Sequence, residues 1–415
     1  MELPTENQNQ SDLDMDGAGK RAIIVGGSMG GLFSGLLLLR AGWEVDVYER
    51  VAVELTARGA GIVTHPELDN VIELAGLNPN SAPAVPILER RTLDRQGRVI
   101  GKHARRQMAT SWNGLFRMLR GAFPEDRYHL GSEFLRCEVS SSGVTAWFAD
   151  GSVKMADVLI GADGIRSSVR RQFLPDCNPI YAGYVAWRGL IDEASFPPEL
   201  HRELFDYFAF DLPPGEQMLG YPVSGRGDDT RPGHRRYNFV WYRPADTDTL
   251  AWMLTDESGQ RHEISIPPPL ISKAVIEHMR QEARRVLSPQ FQELIALTAQ
   301  PFLQPIYDLE SPRLGFERAA ILGDAAFIAR PHVGAGVAKA AMDALALVSA
   351  LQSEETVPAA LARYEQERLP QGQKIVHQAQ RLGSYVRSEI PIEADRTEEL
   401  DLIMKETAVL DFMQA

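Results

Sequence analysis

The sequence predicts an α/β protein in which a βαβ nucleotide-binding domain carries an inserted, mainly antiparallel β-sheet domain and ends in a C-terminal helical segment. Three observations support this. A glycine-rich turn joins a short apolar run to a helical pattern near residue 26. Period-two segments broken by Gly, Pro and Asp fill the middle of the chain. An Ala-rich helical pattern opens after Gly336.

With 415 residues, 44% of them hydrophobic, the chain can bury one large core or two smaller ones. A formal net charge of -13 opposes a polyphosphate backbone and no long Lys/Arg block offsets it, so nucleic acid is not an expected partner. Cys137 and Cys177 stand alone, without a second Cys or His at a zinc-like spacing. Neither a disulfide framework nor a metal site is expected, and a reducing cytoplasm is the expected location. The most apolar run, Leu36–Leu39, is far shorter than the roughly 18 to 20 residues of a spanning helix, so neither export nor membrane insertion is expected. Residues 1–19 are polar, acidic and aperiodic and read as a flexible tail.

From Arg21 the pattern changes. Ala22–Val25 reads as a strand, Gly26–Gly31 as a tight turn, Leu32–Ala41 as a helix and Glu44–Tyr48 as a second strand. Glycines at 26 and 31 let a helix N-terminus and its N–H groups approach a pyrophosphate, although the usual middle glycine is Ser28. Glu49 ends the second strand, where a ribose-binding acid belongs. The alternative is that the glycines only permit close helix–strand packing and Glu49 is a solvated carboxylate. Downstream, RRTLDRQGRVIG, VTAWFADGSVKMADVLIG, YVAWRGLID, MLGYPVSG and RRYNFVWYRPA read as strands and hairpins.

Two further motifs follow. LIGADGIRSSVR (159–170) joins a strand to an Asp-Gly turn at Asp163 and a helix start. In 321–347 a strand ends at Gly323-Asp324, a Pro-containing loop follows, and Gly334 and Gly336 open a helix rich in small residues.

Together, in this order, the three motifs resemble the FAD-dependent aromatic-ring hydroxylases, whose fold is similar to that of para-hydroxybenzoate hydroxylase. Within that family VGGSMGGL, VDVYER, GIVTHPEL, YAGYVAWRG, GYPVSG and RPHVGAGVAKA are similar to the subgroup acting on 2,6-dihydroxypyridine. The resemblance implies a Rossmann-like FAD-binding domain formed by 20–85, 111–180 and 301–375. It implies a substrate-binding domain formed by 86–110 and 181–300, and C-terminal helices over 376–415. Gly26, Ser28, Met29, Gly31, Glu49 and Arg50 would hold the ADP half of FAD. Asp163 would belong to the turn touching FAD and pyridine nucleotide, and Asp324 would bind the ribityl side. Gly334, Gly336 and Ala338 would present a helix N-terminus, about half a positive charge, to the flavin.

The chain departs from the family at Phe327, where many relatives have His, and at Ala338, where they often have Asn. Trp112 stands where an FAD-contacting Arg is usual, with Arg117 the nearby basic candidate. No second glycine-rich βαβ unit is evident, so NADH or NADPH is expected to visit the flavin without a domain of its own.

The implied activity is that of a single-component FAD-dependent monooxygenase. It would hydroxylate an electron-rich, hydroxylated N-heteroaromatic ring with NAD(P)H and O2 through a flavin C4a-hydroperoxide. A hydroxybenzoate or purine-like ring, or a non-catalytic FAD-binding homologue, is the alternative. The protein must then orient the ring, handle the proton of its hydroxyl and keep the pocket dry. His65, Tyr221 and His332 are the catalytic candidates. The alternatives are a plain loop histidine at 65, a packing role for Tyr221 and a loop-shaping role for His332. Strand alternation allows at most one residue of Trp187/Arg188 and one of Trp241/Tyr242 to face the pocket. The C-terminal segment leaves a homodimer open.

Overall fold

The computed structural model describes residues 19–55, 61–387 and 397–413; residues 1–18, almost all of the expected tail, lie outside the described residues. Strand Arg21–Val25 is apolar from Ala22 onward and buried on both faces, as a central parallel strand should be. It pairs in parallel with Glu44–Glu49 on one side and Val158–Gly161 on the other. Tyr128–Leu130 and Ala319–Ile321 extend this sheet in parallel, and Gly315–Phe316 adds an antiparallel edge. Helix Met29–Arg40 follows the glycine turn and packs against helix Gly336–Ser353. Small residues set that contact: a Cβ on Gly30 would sit 2.8 Å from Leu322 and 3.7 Å from Ala340.

An eight-stranded sheet forms the second unit, in the order Phe327–Ile328, Phe302–Glu310, Ile180–Asp192, Arg236–Pro244, Gln217–Val223, Phe208–Asp211, Arg90–Leu93 and Val99–His103. All neighbours are antiparallel except Phe208–Asp211 and Arg90–Leu93. Strand Phe302–Glu310, assigned with the FAD domain on sequence grounds, hydrogen-bonds to Ile180–Asp192 and so belongs to this sheet.

The segment 144–161 is shared between two sheets. Val144–Phe148 and Val153–Ala156 join Phe134–Val139 in a separate three-stranded meander, whereas Val158–Gly161 enters the parallel sheet. Gly61–Val63, Gln107–Ser111 and Ala84–Ile87 form another small sheet.

The middle of the chain also holds helices that its strand-like pattern does not announce, Lys273–Val286 and Pro289–Leu297. The first is capped by Ser272, whose Oγ accepts from the Val275 N–H, and it buries Val275, Met279 and Ala283 at four-residue spacing. These side chains cover the sheet face carrying Trp187, Met218 and Trp241. The opposite face carries Ala186, Leu219, Tyr221, Val240 and Tyr242, and packs partly against the chain's C-terminal end. There helix Thr397–Glu406 lies against strands Arg90–Leu93 and Val99–His103. The fully buried Arg90 donates to the Met404 carbonyl at 2.6 Å. Among the described residues no helix is long and apolar enough to cross a membrane.

Candidate active site

The glycine turn explains itself by geometry. Gly26 has φ of +104°, and a Cβ there would lie 2.4 Å from the Ala162 carbonyl oxygen. A Cβ on Gly31 would lie 1.9 Å from the Gly26 carbonyl oxygen. Only bare backbone lets strand, turn and helix approach this closely. The Glu49 carboxylate closes the turn from the next strand, accepting from the Gly27 and Val51 N–H groups at 2.9 Å each. Arg50 beside it is exposed.

A cavity of about 460 Å³ opens from this turn. One set of lining residues is mostly backbone: Ser28–Gly30, Gly164, Gly323–Asp324 and Gly334–Val337. Two helices begin here, at Met29 and at Gly336. Neither has a side-chain cap or an acidic residue in its first turn, so both leave N–H groups free to meet an anion. Two uncapped N-termini on one cavity, with no Cβ at Gly30 or Gly336, fit a long dinucleotide with an anionic pyrophosphate and a ring that becomes anionic on reduction. Asp324, 57% exposed in side chain, lines the same stretch.

A buried charge cluster fixes the Gly323-Asp324 turn. The Asp343 carboxylate accepts from the Gly323 N–H at 3.1 Å and from Arg368 Nε at 2.8 Å. Lys339, fully buried, places its Nζ 3.9 Å from Asp324 and from Asp343. The signal for this cluster was the helical spacing of Lys339 and Asp343, which reads equally well as packing.

The other set of lining residues comes from the eight-stranded sheet. Register puts Arg188 opposite Val240, and Ala186 opposite Tyr242, so Arg188 and Tyr242 face the cavity while Trp187 and Trp241 are buried on the far side. Each pair therefore sends one member to the pocket. Arg188 Nη1 donates to Gln304 Oε1 at 2.8 Å, and its Nε is buried without a partner. Gln304 was missed; it sits on the strand whose pairing partner is the Arg188 strand, a relation visible only in the sheet. Trp112 also lines the cavity, stacked on Phe116 at 5.0 Å, while Arg117 turns to pair with Asp228.

Of the three catalytic candidates only Tyr221 lines the cavity. Its hydroxyl donates to the Gly61 carbonyl at 3.0 Å, and burial pushes its phenol up to about 12, partly opposed by the Arg188 cation. Burial likewise raises Tyr242, whose hydroxyl makes no hydrogen bond to the described residues.

His332 is fully buried and outside the cavity wall, with Tyr184 Oη 2.8 Å from Nε2 and Gln217 Oε1 2.8 Å from Nδ1. The Gln217 oxygen accepts, so Nδ1 carries the proton and Nε2 accepts from the Tyr184 hydroxyl. Burial, with Arg330 adding to it, lowers the imidazole to about 3. His65 is also outside the wall. It is 6% exposed, with Nε2 3.3 Å from the Gly334 carbonyl oxygen, and burial lowers its pKa against the pull of that carbonyl.

Among the cofactor candidates Ser28, Met29, Asp324, Gly334 and Gly336 line the cavity; Gly26, Gly31, Glu49, Arg50, Asp163 and Ala338 do not. Asp163 instead accepts from the Ser168 and Val169 N–H groups at 2.7 and 3.3 Å, holding the turn whose Gly164 and Ile165 reach the cavity. Ala338 is packed in the core. Phe327 is buried against Gly372, where a Cβ would meet its ring at 2.3 Å.

A doubly glycine-tipped βαβ unit that shares its cavity with a polar sheet face defines a dinucleotide-cofactor protein with room for a second ligand. A family described as "FAD binding domain-like" matches residues 181–308, and one described as "FAD binding domain" matches 310–379. The chain is 31% identical to the 2,6-dihydroxypyridine 3-monooxygenase of Paenarthrobacter nicotinovorans, over 88% of this chain and 91% of that one. The solved 2,6-dihydroxypyridine-3-hydroxylase from Arthrobacter nicotinovorans superposes with a TM-score of 0.84 at 29% identity, covering 91% of this chain and 95% of that one. Klebsiella pneumoniae HpxO, solved with FAD and uric acid, gives 0.73 at 25% identity over 94% and 93%. The chain belongs to the FAD-binding monooxygenase family. It is a flavoprotein monooxygenase, and FAD is its cofactor.

Proposed function

We propose that the protein is a single-component hydroxylase that uses NAD(P)H and O2 to oxygenate an electron-rich, hydroxylated N-heteroaromatic ring of the 2,6-dihydroxypyridine kind. The observation supporting this reading is one cavity that joins the cofactor-type backbone to a sheet face bearing Arg188, Tyr242 and Gln304. Reduced FAD supplies an electrophilic oxygen drawn from O2, which calls for an electron-rich ring carbon. Gly26, Ser28, Met29, Gly31, Glu49 and Arg50 serve the ADP end, the last through its exposed guanidinium. Asp163 shapes the neighbouring turn and Asp324 faces the ribityl chain. Gly334, Gly336 and Ala338 form the helix tip whose free N–H groups stabilise negative charge. Phe208, Leu219, Val240 and Ile306 keep the ring's surroundings apolar and exclude water. His65 and His332 act as positioning residues, tying Gly334 and the loop before it to the rest of the fold.

The test is the purified protein's absorption spectrum, followed by NADH and NADPH oxidation with hydroxypyridines, hydroxybenzoates and urate, with products identified by mass. Flavin absorbance, substrate-stimulated oxidation and a hydroxypyridine product heavier by one oxygen are expected. Stimulation by urate or a hydroxybenzoate alone would move the assignment to that ring, and bound flavin with no stimulated turnover on any ring would overturn the reading.

A further inference from the structure

Resting on the ring class just proposed, we propose that Arg188 selects the substrate as a preformed ring anion, no side chain of the described residues in the site deprotonating it. Arg188 is unlike most arginines held inside this fold; Arg236, which also has one neutral acceptor and a buried partnerless Nε, lies off the cavity, whereas Arg188 lines it. Arg235 pairs with Glu193, Arg243 with Glu216 and Glu282, Arg330 with Asp308, and Arg368 with Asp343. Arg90 and Arg170, which lack carboxylates, each donate to three acceptors. Arg188 donates to one neutral oxygen, on Gln304, and no carboxylate among the described residues lies within ion-pair distance. A guanidinium has five N–H donors. Holding it half-buried with most of them unused is unfavourable unless an anion arrives to take them.

The rest of the wall points the same way. The titratable and charged groups lining the cavity are Tyr221 and Tyr242 beside Arg188, Tyr307 on the strand of Gln304, Arg330 in its pair with Asp308, and Asp324 on the cofactor turn. No histidine, glutamate or cysteine among the described residues lines it. The phenols on the sheet stay protonated and act as donors, because burial opposes their ionisation. Arg188 is a permanent cation. Asp324 belongs to the nucleotide side, beside Gly336. The sheet face beside Arg188 therefore offers one cation and the Tyr242 hydroxyl to an oxyanion, the Tyr221 proton being held by the Gly61 carbonyl, and no carboxylate or imidazole among the described residues to accept its proton. The ring gives up its proton to solvent before binding, and the Arg188 cation with the Tyr242 hydroxyl holds the resulting oxygen anion. That anion is the electron-rich form the hydroxylation consumes.

The experiment titrates the FAD-loaded protein with 2,6-dihydroxypyridine and with a fluorinated 2,6-dihydroxypyridine of lower pKa, from pH 5 to 9. The flavin absorbance change gives Kd. In the wild type, Kd should fall as each ring ionises, and the limb should move with the ring's own pKa. Arg188→Met should raise Kd for the anion on the order of 100-fold, change Kd for the neutral form less than about 3-fold and flatten the pH dependence, with Arg188→Lys restoring part of it. Flavin content and Tm of both variants should match the wild type, which separates this effect from misfolding. A limb fixed at one pH for both rings would identify an enzyme base and overturn the proposal. Equal weakening of both ligand forms in Arg188→Met, or none, would also overturn it. Absence of any flavin perturbation by hydroxypyridines in the wild type sinks the ring class and this proposal together, whereas binding indifferent to ionisation sinks this proposal alone.

Discussion

The glycine turn and the sheet wall face one cavity but present it with different surfaces. Around Ser28–Gly30 and Gly334–Gly336 the wall is largely backbone, and side chains matter mainly by their absence. On the sheet, Arg188, Tyr221, Tyr242 and Gln304 come from four separate strands, and register alone makes them neighbours. Backbone recognition is stringent about local geometry and indifferent to the second ligand. Side-chain recognition is tolerant of fold and specific for chemistry. Substitutions in the first region should therefore abolish cofactor retention, and those in the second should change what the protein binds.

The largest effect is expected at Gly31. Its Cβ would overlap the Gly26 carbonyl oxygen at 1.9 Å, and neither backbone segment can yield without opening the strand–helix junction. Gly31→Ala should weaken FAD binding at least about 100-fold, read as flavin fluorescence quenching and flavin-to-protein ratio after gel filtration. Stoichiometric flavin in this variant would mean that the turn does not form the cofactor cradle.

His332 tests the boundary between the regions. His332→Leu orphans the Tyr184 hydroxyl and the Gln217 oxygen, each buried, and should cost about 3 kcal/mol of stability in denaturant unfolding. Because the folded imidazole is lowered to about 3 from an unfolded value near 6.5, its neutral state is matched above pH 6.5. Stability from this group should be lost progressively as pH falls from about 6.5 toward 3, since the unfolded chain then binds the extra proton. The Leu variant should lack that part of the acid slope. A variant of normal stability whose turnover collapsed would return His332 to a catalytic role.

The same contrast explains what the sequence disclosed. The βαβ unit was legible because Gly26, Gly31 and Glu49 fall within 24 residues and each is needed for a local steric or hydrogen-bonding reason. Strand alternation correctly split Trp187 from Arg188 and Trp241 from Tyr242, but which member faced the cavity depended on pairing across the sheet. Helices Lys273–Val286 and Pro289–Leu297 were overlooked because they lie past the last clear strand, in a stretch with many charges and prolines. His65 and His332 were plausible as acid–base groups by residue type. Their burial and fixed partners, which place both outside the cavity wall, are products of tertiary packing.

A smaller effect separates the two tyrosines of the wall. Tyr242→Phe removes a hydroxyl that has no hydrogen bond to the described residues. Stability should change by less than about 0.5 kcal/mol while kcat/KM for the ring falls roughly 10-fold, about 1.4 kcal/mol of lost ligand contact. An unchanged kcat/KM would remove Tyr242 from the substrate contacts and leave Arg188 to hold the oxyanion with Gln304.

Tyr221→Phe should behave in the opposite way. Its hydroxyl already donates to the Gly61 carbonyl at 3.0 Å, across from the strand that carries it, so its loss leaves a carbonyl unpaired and should cost about 1 kcal/mol of stability. The phenyl ring remains to fill the wall, so kcat/KM should stay within about 3-fold of wild type. If the Phe variant instead kept full stability and lost turnover, the Gly61 bond would be expendable and Tyr221 would be the hydroxyl that meets the substrate. The pair of variants thus decides which phenol anchors the fold and which meets the ring, a distinction that residue type and strand alternation leave open because both tyrosines face the same cavity from neighbouring strands.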